Sequence, residues 1–271
     1  LGQRLRNLLT GEKRQGGGVE LTLRASMQEA AAAALGDRKG AVVALDAKTG
    51  AILALYSSPS FDPNALASRD AGEVQDAYAT LDADPKNPML NRTISERYAP
   101  GSTFKVLTAI ALIENGIANP DTRMDSPVST TLPGTNTEVS NIESSTCGDG
   151  KPTLTEAFAR SCNTTFVLAS EKLTTQQLTD VTKRFGFGHE QEIPLTVIPS
   201  VFPADADSAQ LAMSSIGQYT VQATPMQMAQ VAQTIANGGQ MMSPYLIKQI
   251  VDADNQTIRK TKATEDGRPI S

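Results

Sequence analysis

The stretch Tyr98-Ala99-Pro100-Gly101-Ser102-Thr103-Phe104-Lys105 is the most informative part of this 271-residue sequence. A Pro-Gly turn precedes Ser102, and the apolar pattern after it predicts a helix that runs to Asn115 and ends before Gly116. Lys105 follows Ser102 by three residues, so the two side chains share one face of the helix. The free N–H groups of a helix N-terminus favour negative charge, which makes the Ser102 N–H a candidate oxyanion donor.

Ser102 needs a base to act as a nucleophile, because a serine hydroxyl alone is a poor one. Lys105 is a candidate base if burial disfavours its ammonium form. Lowering a lysine pKa from ~10.4 to ~7 corresponds to roughly 5 kcal/mol. The alternative is that Ser102 is only a helix cap and Lys105 is solvated, since Ser-x-x-Lys alone is a weak motif.

A second polar element, Ser161-Cys162-Asn163, interrupts two predicted helices. A capping box at Thr153 opens the first helix, and the second spans residues 165–173. The Ser161 hydroxyl could relay a proton, and the Asn163 amide could hold a substrate carbonyl. The alternative is a helix kink whose polar side chains are satisfied locally.

Charge and composition exclude several classes of function. The sequence has 24 basic and 29 acidic side chains, a net charge of −5, which argues against a nucleic-acid binder. Its one histidine, His189, lies in a glycine-containing loop, where we expect a structural or solvated side chain. A two-histidine zinc site within the chain is therefore excluded, and a Ser-His-Asp triad would rest entirely on His189. No apolar run reaches the ~20 residues of a membrane span.

The hydrophobic pattern predicts an α/β fold. Residues 40–58 read as a hairpin of two apolar strands covered on both faces, with Gly50 in the turn. A strand at 19–23 and a helix at 27–35, capped by Ser26, precede it. Thr224-Pro225 opens a later helix. Residues 260–271 are polar and are expected to form a loop or frayed tail.

Several of these motifs, taken in order, resemble the class B penicillin-binding proteins, which are peptidoglycan D,D-transpeptidases. The resemblance implies a penicillin-binding-protein or serine β-lactamase-like fold, in which an antiparallel sheet flanked by helices meets an all-helical lobe. The matching segments are Gly40-Ala41-Val42-Val43-Ala44-Leu45, Ser57-Ser58-Pro59-Ser60-Phe61-Asp62-Pro63-Asn64, Asn91-Arg92, Pro100-Gly101-Ser102-Thr103-Phe104-Lys105, Ser161-Cys162-Asn163-Thr164, Ser215-Ile216-Gly217-Gln218, Ala223-Thr224-Pro225 and Ile235-Ala236-Asn237-Gly238-Gly239.

The resemblance implies a role for each matched position. Ser102 corresponds to the acylated nucleophile, Lys105 to the general base, Ser161 to the proton shuttle and Asn163 to a ligand of the substrate amide. The implied substrate is a peptidoglycan stem pentapeptide ending in D-Ala-D-Ala, and β-lactam antibiotics would acylate the same serine. No metal or organic cofactor is implied. The implied setting is the extracytoplasmic face of a bacterial membrane, with a membrane glycosyltransferase as partner.

One family motif is absent from the sequence. No Lys-Ser/Thr-Gly follows Asn163, since Lys260-Thr261-Lys262 lacks the glycine. Lys48-Thr49-Gly50 precedes Ser102 and reads as a hairpin turn. We therefore expect residues 19–271 to be a transpeptidase domain that lacks its C-terminal strands, and the 271 residues alone to be inactive. Residues 1–18 are expected to be a link from an N-terminal pedestal domain.

Cys147 and Cys162 are the only cysteines. An extracytoplasmic location would permit a disulfide between them, and the resemblance favours this pairing. The alternative is that Cys162 is a small buried hydrophobic residue.

Two other functions remain open at this point. A class D β-lactamase or penicillin-sensor domain also carries Ser-Thr-Phe-Lys, although Asn163 and the Phe61-Asp62-Pro63-Asn64 stretch favour a transpeptidase. A non-catalytic cell-wall scaffold would keep the fold without needing Ser102.

Overall fold

A computed structural model of the chain describes residues 16–270. Its strands are β1 (Gly18–Leu21), β2 (Gly40–Leu45), β3 (Ile52–Ser58), β4 (Ser129–Thr131), β5 (Glu138–Ser140), β6 (Gln191–Glu192), β7 (Thr196–Val197), β8 (Ile247–Val251) and β9 (Thr257–Lys260). Its α-helices are α1 (Ala25–Leu35), α2 (Ala71–Asp82), α3 (Arg92–Ser95), α4 (Lys105–Glu114), α5 (Leu154–Ala159), α6 (Asn163–Ser170), α7 (Thr175–Arg184), α8 (Ser208–Ser214) and α9 (Pro225–Ala236).

The strands pair in antiparallel fashion, as the α/β prediction requires. β8 lies between β1 and β9, and β2 pairs with β3. The β2–β3 hairpin contacts the segment that precedes β8 through a single parallel bridge between Ala51 and Tyr245. Two short two-stranded sheets, β4–β5 and β6–β7, lie outside this group.

The predicted hairpin is confirmed, with one difference in its burial. Gly50 adopts a φ of 77° in the turn, and a Cβ there would lie 2.5 Å from the backbone oxygen of Ser243. All six residues of β2 are only half-buried, whereas the sequence predicts cover on both faces. Within residues 16–270, β2 pairs only with β3, so its other edge is unpaired.

The helices that carry the site surround one large hydrophobic core. Leu107, Ala111, Phe166, Leu178 and Leu211 come from α4, α6, α7 and α8 and are all nearly inaccessible to solvent. A smaller cluster lies beside the hairpin and includes Ile52 and Met226. The helical lobe is thus a closely packed unit, and the polar side chains of the site lie on its helices.

Most helix boundaries agree with the sequence, because their caps are local signals. The capping box at Thr153 and the Thr224-Pro225 start of α9 are confirmed. Ser26, however, lies inside α1, whose N-cap is Arg24 without a side-chain cap. The second helix of the Ser-x-Asn element begins at Asn163 rather than near residue 165.

After residue 260 the chain forms the predicted loop, with no further helix or strand, but this loop is not frayed. The N–H of Ser243 donates to the Thr264 carbonyl, and the N–H of Met241 donates to the Gly267 carbonyl. The Met241 carbonyl in turn accepts from the N–H of Asp266. Ile270 also packs against the core. The backbone is therefore ordered by long-range pairing that a polar composition does not reveal.

Residues 1–15 lie outside the described part of the chain, which includes most of the predicted 1–18 link. Among residues 16–270, no helix combines the length and apolar character needed to cross a bilayer.

Candidate active site

Ser102 lies on a short 3-10 turn, Gly101–Phe104, that leads directly into α4; we call it the serine turn. The Lys105 N–H donates to the carbonyl of Ser102 and closes this turn. In a 3-10 turn, side chains three residues apart are aligned, so Ser102 and Lys105 lie on the same face. Ser102 itself is exposed. This exposure leaves the Ser102 hydroxyl accessible to a substrate.

The serine turn is anchored by Phe104. This side chain is inaccessible to solvent, stacks on Phe202 with ring centroids 5.8 Å apart, and meets Phe187 edge-on at 6.0 Å. Aromatic pairs of this kind hold a backbone firmly because they bury a large area in fixed geometry. Ser102 is therefore an exposed side chain on a rigid support.

Lys105 is buried and holds together the second polar element. Its side chain is 1% exposed. The amine donates to the carbonyl of Ser161 at 2.7 Å and to Oδ1 of Asn163 at 2.7 Å, and it lies 3.1 Å from Oγ of Ser161. The structure thus brings together Lys105, Ser161 and Asn163, three of the residues that the sequence singled out.

Burial lowers the pKa of the Lys105 amine from 10.5 to about 8. Desolvation disfavours the ammonium form, since a buried charge loses the stabilisation that water supplies. A neutral amine has two N–H groups and one lone pair. The two carbonyl-type oxygens occupy the N–H groups, and the lone pair is then free to accept a proton from a hydroxyl.

Ser161 adopts a left-handed backbone conformation, with a φ of 58°. Such a conformation costs a non-glycine residue about 1–2 kcal/mol and is often found at functional sites. The turn follows from the break between α5 and α6, where the Ser161 N–H donates to Phe158 and the Cys162 N–H donates to Ala157. It aims both the carbonyl and the hydroxyl of Ser161 at Lys105.

Asn163 connects Lys105 to strand β5. Its Oδ1 accepts from the amine, and its Nδ2 donates to the carbonyl of Ser140 at 3.0 Å. An amide nitrogen carries two protons, so one N–H of Asn163 remains for a substrate carbonyl.

Asn141 is a supporting residue that the sequence did not single out. It is buried, its Oδ1 accepts from the Thr164 N–H at 3.0 Å, and its Nδ2 donates to the carbonyls of Pro127 and Ser145 at 3.0 and 3.1 Å. These bonds fix the start of α6 beside the site. No local pattern marks this role, because the three partners lie far apart in the sequence or in irregular loops.

Cys147 and Cys162 are joined in the structure, with their Cα atoms 5.9 Å apart. Both are buried. Cys162 lies between Ser161 and Asn163, so the bridge attaches the loop before residue 150 to the wall of the site.

Tyr98 does not compete with Lys105 as a base. Burial and the hydrogen bond to Glu96 raise the pKa of Tyr98 to about 12, so its hydroxyl stays protonated at neutral pH. His189 is exposed in the loop between α7 and β6, in agreement with the sequence prediction. Lys48-Thr49-Gly50 forms the turn between β2 and β3, also as predicted.

The sequence profile described as the penicillin binding protein transpeptidase domain matches residues 40–271. The chain belongs to this family. The penicillin-binding protein fold expected from the motifs is confirmed by solved relatives. Penicillin-binding protein A from M. tuberculosis, as its imipenem acyl-enzyme complex, superposes with a TM-score of 0.94 at 39% identity, covering 100% of this chain and 63% of that chain. Its penicillin G acyl-enzyme complex gives a TM-score of 0.93 at 39% identity, with the same coverage.

The peptidoglycan D,D-transpeptidase PbpA of Mycolicibacterium smegmatis is 44% identical to this penicillin-binding domain over 278 residues. The alignment covers 100% of this chain and 56% of that protein. The corresponding PbpA of Mycobacterium tuberculosis H37Rv is 40% identical, again over 56% of its length. The chain therefore spans little more than half the length of these relatives.

Proposed function

We propose that this protein is a serine D,D-transpeptidase that cross-links peptidoglycan stem peptides through an acyl-enzyme. The observation that carries the proposal is the buried Lys105 amine, held by Ser161 and Asn163 one turn after the exposed Ser102. The two PbpA relatives are named peptidoglycan D,D-transpeptidases, which supports this function over a lactamase, a penicillin sensor or a wall scaffold.

In the acylation step, Oγ of Ser102 attacks the carbonyl carbon of the penultimate D-Ala of a stem pentapeptide. The hydroxyl proton passes to Lys105. A proton then returns through the Ser161 hydroxyl to the nitrogen of the terminal D-Ala, which leaves as the C–N bond breaks. Asn163 donates its remaining N–H to a backbone carbonyl of the peptide, and the Ser102 N–H stabilises the developing oxyanion.

In the second step, the amine of another stem peptide attacks the ester carbonyl. Lys105 and Ser161 accept the proton of that amine and return one to Oγ of Ser102, which leaves as a hydroxyl. The products are a new amide cross-link and the free enzyme. A β-lactam would enter at the first step, and the opening of its ring would keep the leaving nitrogen attached to the acyl group.

We further propose that a Lys-Ser/Thr-Gly strand from outside these 271 residues completes the cleft. The unpaired edge of β2 supports this proposal, because an edge strand presents backbone N–H and C=O groups that another strand can pair with. The half-buried residues of β2 also leave room for a further covering element. By the same proposal, residues 19–271 are an incomplete domain and residues 1–18 link it to a pedestal. The domain works on the extracytoplasmic face of the membrane beside a glycosyltransferase.

The direct test is to treat the full-length protein with penicillin G and map the modified peptide by mass spectrometry. We expect one acyl group on Ser102, none on the Ser102→Ala variant, and unchanged labelling of Ser26→Ala, which alters an exposed serine on α1. Labelling elsewhere, or rapid hydrolysis of penicillin, would contradict a transpeptidase. Equal labelling of the 271 residues alone would contradict the proposed third motif.

A further inference from the structure

We infer that the segment 215–223, which we call the supporting segment, holds the serine turn in register with Lys105 and Ser161, and that Gly217 is its critical positioning residue. This inference rests on the function proposed above. Neither the chemistry of Ser-x-x-Lys nor that of Ser-x-Asn requires this segment, which lies more than 50 residues after both.

The supporting segment is hydrogen-bonded to the backbone on the N-terminal side of Ser102. Tyr98 and Ala223 exchange two bonds, each 2.9 Å long. The N–H of Gly101 donates to the carbonyl of Gly217 at 2.9 Å. The residue that immediately precedes Ser102 is therefore held by a partner outside its own helix.

Gly217 makes this contact possible because it has no side chain. A Cβ at this position would lie 2.2 Å from the carbonyl oxygen of Gly101, 2.7 Å from its nitrogen and 2.8 Å from Cβ of Phe104. Two of these atoms are backbone, so they cannot swing away as a flexible side chain would. Any larger residue must move the serine turn or the supporting segment.

The other end of the supporting segment connects the two remaining parts of the site. The buried hydroxyl of Thr108, on α4 one turn after Lys105, donates to the carbonyl of Ser215 at 2.7 Å. The Ser215 hydroxyl lies 3.3 Å from the carbonyl of Phe166, on the helix that begins at Asn163. The supporting segment thus touches the serine turn, the lysine helix and the helix of the Ser-x-Asn element.

These contacts predict an effect on the rate of bond formation rather than on binding. A displacement of about 1 Å in a reacting group can lower a rate ~10²-fold. The groups that hold the substrate before reaction do not include Gly217, which is buried behind the serine turn. If Gly217 only stabilised the fold, its replacement would lower the free energy of unfolding but would not lower the acylation rate constant while leaving the dissociation constant unchanged.

The test is stopped-flow acylation of the full-length protein by a fluorescent penicillin, which separates the pre-acylation dissociation constant from the acylation rate constant. For Gly217→Ala we expect the rate constant to fall by about 10–100-fold, while the dissociation constant changes by less than about threefold. The matched control is Gly238→Ala, because Gly238 has a similar φ of 63° but no atom within 4 Å of an added Cβ. It should acylate at the wild-type rate.

A second pair of variants decides the question if Gly217→Ala does not fold. Thr108→Val removes the hydrogen bond to Ser215 and should lower the acylation rate constant, whereas Thr108→Ser keeps the hydroxyl and should restore it. Wild-type rate constants in folded Gly217→Ala, or in both Thr108 variants, would overturn the inference and leave the proposed function intact. A wild-type protein that is not acylated at Ser102 would overturn both.

Discussion

The amine of Lys105 lies 2.7 Å from Oδ1 of Asn163, although the two residues are 58 positions apart. Together with the Ser161 carbonyl, this oxygen takes two N–H groups of the lysine. The third direction points to the Ser161 hydroxyl at 3.1 Å. As an ammonium group Lys105 donates to all three oxygens. Once neutral, it can keep two of these bonds and use its lone pair to accept a proton, as a general base requires.

Replacing Lys105 with methionine should remove the base and keep the length of the side chain. We expect Lys105→Met to lower the acylation rate constant by about 10²–10⁴-fold, the usual contribution of a positioned general base. Lys172→Met, at an exposed lysine beyond α6, is the control and should acylate normally. Circular dichroism should show that both variants are folded. An unimpaired Lys105→Met enzyme would mean that another group takes the proton.

Ser161 should lower the stability of the fold, because its φ is positive, and should contribute to acylation, because its hydroxyl faces Lys105. Both Ser161→Ala and Ser161→Gly should acylate slowly. The glycine variant should be more stable than the alanine variant by about 1 kcal/mol, since glycine adopts this conformation without strain. Denaturant unfolding measures the difference.

Asn255 offers the matched control for this comparison, since it has a φ of 59° in an exposed turn. Its alanine and glycine variants should differ in stability in the same direction without any change in acylation. A Ser161→Ala variant at least as stable as Ser161→Gly would refute the strain argument.

The sequence predicted the parts of the site that depend on local signals. Ser102 and Lys105 share a turn, and the break at Ser161 follows from the end of one capped helix and the start of another. The supports were not predictable in this way. Asn141 contacts Thr164 and Pro127, and Gly217 contacts Gly101, only after the chain has folded. Gly217 was part of a matched motif, but its close approach to Gly101 is a property of packing.

The distinction between local signals and long-range packing also explains where the fold prediction differs from the structure. The burial of β2 and the order after residue 260 depend on which strands and loops lie alongside, and composition does not report this. Ser26 is a good cap residue by type, yet α1 begins at Ala25 because the preceding Arg24 is already the extended residue at the cap position.

Asn141 should contribute to stability through its buried hydrogen bonds. Asn141→Ala leaves the Thr164 N–H and the Ser145 carbonyl without this partner, and we expect it to lower the free energy of unfolding by about 2 kcal/mol. Asn64→Ala, at an exposed position, should have a far smaller effect. Chemical denaturation of both variants makes the comparison, and equal stabilities would show that the Asn141 bonds are replaced by water.

The pairing of Cys147 with Cys162 predicts that neither thiol is alkylated in the unfolded protein unless a reductant is present. Replacing both cysteines with alanine should lower the free energy of unfolding by about 3 kcal/mol, the entropic value for a loop of this length. Mass spectrometry after alkylation measures how many thiols have reacted. Two freely alkylated thiols would exclude the bridge.

The acylation rate constant of the wild-type protein as a function of pH tests the role of Lys105 most directly. The neutral amine accumulates above its pKa, so a pKa of about 8 predicts that the rate rises with pH and levels off above about 8. Well below that value, the rise should be about tenfold per pH unit. A rate that is constant between pH 6 and 10, or a midpoint near the ordinary lysine value of about 10.4, would contradict a base made neutral by burial.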